Sequence, residues 1–224
     1  MAIETRDQKV QNLKDEILVL ASMVEQMVRY SIDALINRRP EDSEKVYTYD
    51  QEINQKHAQI EGQCLSLIAT EPPILAADLR LLASILEVNT EIERIGDAAK
   101  KIAKLNITIC NQPPIDGQIR ISSISDQILE NYFQAIGAFI AEDIETAKKI
   151  TSENNEIEEK FELYKGDIIE RMKDQTPTAN NIAEYLRITH YLIEIYSHII
   201  NICNRTFYLT TGKLPINKYL LQQI

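Results

Sequence analysis

Leu13–Leu35 reads LKDEILVLASMVEQMVRYSIDAL. Within it Leu13, Ile17, Leu20, Val24, Met27, Ser31 and Leu35 recur at steps of four and three. That spacing draws one stripe along a helix, with acids and Gln on the opposite side. It is also the spacing of a coiled-coil seam, so neighbouring helices are expected to run nearly parallel or antiparallel to this one.

Proline extends the reading along the chain. Pro40, Pro72, Pro73, Pro113, Pro114, Pro177 and Pro215 all fall between segments of helical periodicity, as expected of a residue that lacks a donor and clashes with the preceding turn. The segments so divided predict long helices over roughly 6–38, 41–69, 74–110, 119–141, 143–173 and 178–211. Composition agrees. With 6 Gly, no Trp and 6% aromatics in 224 residues, the balance suits long helices better than a sandwich, barrel or Rossmann sheet. The 44% hydrophobic content supplies a sizeable core.

The helices come in a repeated order. ALINRRPEDSEKVYTYDQEIN, Ala34–Asn54, aligns with AFIAEDIETAKKITSENNEIE, Ala138–Glu158, at a constant offset of 104 residues. A duplication accounts for an offset that holds across a turn as well as across helices. Each copy, 1–112 and 113–224, contributes three helices and leaves an apolar face uncovered. The predicted fold is therefore all-α: a six-helix elongated bundle of two three-helix repeats, packed as one unit about a pseudo-twofold axis.

Charge and cysteine usage narrow the function classes. A formal net charge of −10 disfavours nucleic acid or an anionic membrane surface as the main partner. Cys64, Cys110 and Cys203 contain no CxxC pair and read as reduced thiols. The start, MAIETRDQKV, has no apolar signal region, and the apolar runs are broken by charge before a membrane-spanning length. These features predict a cytoplasmic protein with no membrane insertion. No GxxxxGK[ST] loop or GxGxxG turn is present. A ferritin-like di-iron site needs Glu three residues before His, whereas Asn54, Arg187 and Ile195 precede His57, His190 and His198.

Glu91–Ala103, EIERIGDAAKKIA, places Glu93 and Asp97 at i and i+4, so both carboxylates leave one side of a helix. Two such donors can hold a cation jointly with acids of a facing helix. Arg94, Lys100 and Lys101 can equally neutralise them, leaving a solvated acidic edge. Gly96, which costs about 1 kcal/mol relative to alanine in a helix, reads as the close approach of another helix.

DLRLLASILEVNTEIERIGDAAKKIA, Asp78–Ala103, resembles the third helix of the PhoU family, and INICNRTFYLTTG, Ile200–Gly212, resembles that family's closing segment. The likeness spans nearly the whole chain. It implies a protein that is not an enzyme but a cytoplasmic regulator. Such a regulator links the phosphate ABC transporter, through its ATPase subunit, to the phosphate sensor kinase, restraining both when phosphate is plentiful. A homodimer is expected of such a bundle.

The resemblance also implies iron or zinc, held by paired acidic motifs on the second and third helices of each repeat. In the first repeat these positions are Asp50 and Asn54, then Glu93 and Asp97. Asn54 departs from the pattern, since an amide brings no charge. In the second repeat Asn154 and Glu158 face Ile193 and Ser197, a degraded set. A shifted alignment pairs Glu194 with His198 instead. Arg94 carries over as a signature surface residue. Two other readings stay open: an accessory regulator of another phosphate carrier, and a helical-bundle adaptor with no phosphate role.

Overall fold

A computed structural model describes residues 5–70, 75–111, 118–174 and 179–213. The described residues form helices throughout, α1 (Arg6–Ile36), α2 (Pro40–Thr70), α3 (Ala76–Cys110), α4 (Gln118–Ala141), α5 (Ile144–Ser152), α6 (Asn154–Asp174) and α7 (Ala179–Thr211). The fold is the expected all-α bundle of two three-helix repeats, α1–α3 and α4–α7, with α5 and α6 together standing for one long helix. Pro40 opens α2 at its first helical position, where a missing donor costs nothing. The other six prolines lie outside the described residues.

Local chemistry sets the ends. Thr5 and Gln8 close a capping box on α1, the Thr5 amide donating to Gln8 Oε1 at 2.8 Å. α1 and α4 end in the same tight turn. Arg38 (φ 53) and Glu142 (φ 58) are left-handed, and the amides of Arg39 and Asp143 reach back to the carbonyls of Ala34 and Ala138 at 3.0 and 2.8 Å. These two turns stand at the offset found in the sequence.

Where periodicity predicts one helix over 143–173, the structure breaks it at Glu153 into α5 and α6. Just before it, the hydroxyls of Thr151 and Ser152 turn back onto the carbonyls of Ala147, Lys148 and Lys149. Such bonds compete with the helical ladder and bend helices. The corresponding positions of α2 are Tyr47 and Thr48, and α2 runs on unbroken.

The stripe of α1 is buried as its periodicity requires, with Ile17, Leu20, Val24 and Met27 fully inside. Ser31 is buried too. Its hydroxyl returns to the Val28 carbonyl, and its own carbonyl accepts from Asn106 Nδ2 at 2.7 Å. α3 is buried on about half of its circumference, because α1 and α2 cover one side and α7 the next, while Glu87, Arg94, Lys101 and Lys104 stay exposed. Gly96 lies at the first of these contacts. A Cβ there would sit 3.6 Å from Val24 and 3.8 Å from Ile53, ordinary contact distances.

Candidate functional site

α3 carries the candidate residues on two sides, one toward α2 and one toward α7. Toward α2, Asp50 is 8% exposed and accepts a hydrogen bond from Lys100 Nζ at 2.6 Å. Glu93 and Asp97 are half-buried on the same side. Burial raises the Glu93 carboxyl above its usual range, and the neighbouring Asp97 and Asp50 add to the rise while His57 and Arg94 oppose it. Asp50, Glu93 and Asp97 thus share one patch. Asn54 is exposed to solvent. Lys100 is held above the usual ammonium range, chiefly by its hydrogen bond to Asp50.

Toward α7, Glu91 is the centre. Its Oε2 takes hydrogen bonds from His198 Nδ1 at 2.6 Å and Asn201 Nδ2 at 3.0 Å, and Arg94 lies 3.6 Å from Oε1. Glu91 is 7% exposed. Burial alone would raise its carboxyl, but the two hydrogen bonds and the charges of His198 and Arg94 hold it below the usual carboxylate range. Lys101 reaches Glu194 at 3.3 Å and lies over the Tyr191 ring at 5.3 Å. Arg205 reaches Glu87 at 3.2 Å. The paired positions descend on α7 as they rise on α3, so the two helices are antiparallel.

The ends of this seam join the two stretches singled out in the sequence. Gly212 (φ 72) closes α7, its amide donating to the Tyr208 carbonyl at 2.9 Å. Arg80 of the DLR stretch packs against it, where a Cβ would meet the guanidinium. Asp78 of the same stretch pairs with Arg6 at 3.4 Å, fastening the start of α3 to α1.

In the second repeat, Glu158 accepts from Asn154 at 2.8 Å within α6. Glu194 and His198 do not act jointly, since each turns to a different residue of α3. Ser197 bonds its own helix and Ile193 packs on the core. Among the described residues, no three His, Cys, Asp or Glu side chains converge where they could hold a metal ion. The first-repeat patch, with Asp50 bound by Lys100 and Asn54 in solvent, does not fit a multinuclear cluster. The thiols of Cys64 and Cys203 are pushed up to about 12 by burial, and all three cysteines are free.

Sequence spacing alone does not give two pairings central to this arrangement, Lys100 with Asp50 and Glu91 with His198. The signal available was Glu91 at a core-facing position of α3, where an acid needs a partner.

The PhoU domain model matches residues 17–105 and 121–206. This chain belongs to the PhoU family. It is 28% identical over 208 residues to a phosphate-specific transport system accessory protein PhoU homolog of Streptococcus pneumoniae, covering 93% of this chain and 96% of that one. A homolog of the same description from Clostridium acetobutylicum is 24% identical, with 91% and 93% covered. The fold matches crystal structures of PhoU from Pseudomonas aeruginosa (TM-score 0.87, 24% identity, 93% of this chain and all of that one) and of the phosphate transport system regulatory protein PhoU from S. pneumoniae (TM-score 0.86, 27% identity, 94% and 99%). Among the described residues, no helix is long and apolar enough to cross a membrane.

Proposed function

We propose that this chain regulates phosphate uptake and phosphate-starvation signalling by binding. In this reading it docks on the ATPase subunit of a phosphate ABC transporter and on the phosphate sensor kinase, in the cytoplasm and as a homodimer, and restrains both when phosphate is plentiful. The observation that carries the reading is the family match in both halves, with relatives named as phosphate transport accessory proteins over nine-tenths of the chain.

The geometry supports interaction over turnover. Lys100, Lys101 and Glu91 of α3 pair across helices with Asp50, Glu194 and His198. The acidic surface suits basic patches on a partner. Differential affinity for two partner states is all that such a regulator requires.

Deletion of the gene tests the reading. A phosphatase reporter of the starvation response should become active in phosphate-rich medium, and the purified chain should co-elute with the ATPase subunit or the kinase domain. A reporter that stays repressed, with no co-elution, would overturn it.

A further inference from the structure

We propose that Lys100 is the resident cation of the first-repeat acidic patch and stands where a metal would otherwise balance Asp50 and Asp97. The inference concerns this patch alone and is independent of the regulatory reading.

A carboxylate as buried as Asp50 requires an opposite charge. Lys100 supplies it through a short charge-assisted bond at 2.6 Å. Lys100 also lies one turn beyond Asp97 on α3, close enough for the two charges to act on each other. Its side chain is 37% exposed, and its ammonium reaches across to α2.

A divalent cation at this place would have to compete for Asp50 Oδ2, and it would sit beside a fixed positive charge that repels it. The other expected ligand of α2, Asn54, is turned to solvent.

The second repeat supports the same account. In the alignments that place Asn154 opposite Asp50 and Ser197 opposite Asp97, Ile193 and Ile200 stand opposite Glu93 and Lys100. Where the acids are lost the lysine is lost with them. The three acids and the lysine thus occur together in the first repeat and are absent together from the second.

The test uses the full chain purified without chelator or affinity metal, together with Lys100→Met and Lys100→Met/Asp50→Asn. Metal is counted by mass spectrometry, and thermal midpoints are measured with and without EDTA. The expected result is substoichiometric metal in the wild type and a midpoint unmoved by EDTA. Lys100→Met should melt lower, and adding Asp50→Asn should bring the midpoint back, because both members of the pair are then removed. Stoichiometric iron or zinc whose removal by EDTA lowers the wild-type midpoint would overturn the proposal. So would a double variant no more stable than Lys100→Met. If Lys100→Met fails to fold, recovery of folding in the double variant supports the proposal and continued failure overturns it.

Discussion

Glu91 brings a carboxylate into a nearly dry contact between α3 and α7, and two side-chain donors of α7 converge on one of its oxygens. Glu91→Ala would leave His198 and Asn201 without that acceptor, so the variant should lose about 2 kcal/mol in urea unfolding at neutral pH. Because the folded carboxyl lies below its usual value, the stabilisation is fully present above the unfolded value of about 4.3 and disappears as pH falls through the folded one. Urea midpoints of wild type and Glu91→Gln should therefore draw together below that range, and a constant gap down to acid pH would contradict the assignment. The glycines of the family stretches divide on the same physical grounds. Gly96→Ala adds a Cβ at ordinary contact distances and should leave stability unchanged or raise it by up to about 1 kcal/mol. Gly212→Ala must adopt a left-handed backbone and displace Arg80, and should cost about 1–2 kcal/mol. Thermal melts of the two variants check this difference in sign.

At the scale of elements, the duplicated turns after α1 and α4 make a controlled comparison. Both place a non-glycine residue in the left-handed region, yet the side chains differ in what they hold. Arg38 donates to the carbonyls of Ile109 and Cys110 at 3.3 and 3.0 Å, capping the end of α3. Glu142 makes a half-exposed pair with Lys14 at 3.0 Å, a contact worth little. Glu142→Gly should thus gain up to about 1 kcal/mol from relief of the turn. Arg38→Gly should lose about 1 kcal/mol, because the capping bonds of a charged donor outweigh that relief. Urea midpoints shifting in the same direction would disprove the difference. The helices themselves were legible because apolar periodicity and proline are local signals, and Pro40 falls at the first residue of α2. The break at Glu153 was not legible. Thr151 and Ser152 look like ordinary helix-edge residues until their hydroxyls are seen bonding back to the preceding turn.

For the whole molecule, the offset between Ala34 and Ala138 revealed the repeat, since duplication leaves a trace that survives divergence of single residues. The site was less legible. Whether Lys100 or a metal balances Asp50, and whether His198 turns to Glu194 or to Glu91, depends on the register of two helices far apart in the chain. Sequence spacing does not contain that register. The same register bears on stability. The buried positions of α3 run round the helix from Leu105 and Glu91 through Ile95 and Ile92 to Gly96 and Asn89, and together they occupy too much of the circumference for α1 and α2 to cover alone. α7 completes the cover, and Tyr132 of α4 adds a buried bond to the Ala21 carbonyl of α1 at 3.1 Å. Neither repeat can open without exposing part of the other's core, so we expect the two to unfold in one transition. Scanning calorimetry should give equal calorimetric and van 't Hoff enthalpies. Two resolved transitions would mean that each repeat holds its own core and that α3 and α7 meet only as preformed surfaces. A charged substitution in the buried face of α3, such as Ile95→Asp, would then shift only one of them, whereas a shared core requires the single transition to move as a whole.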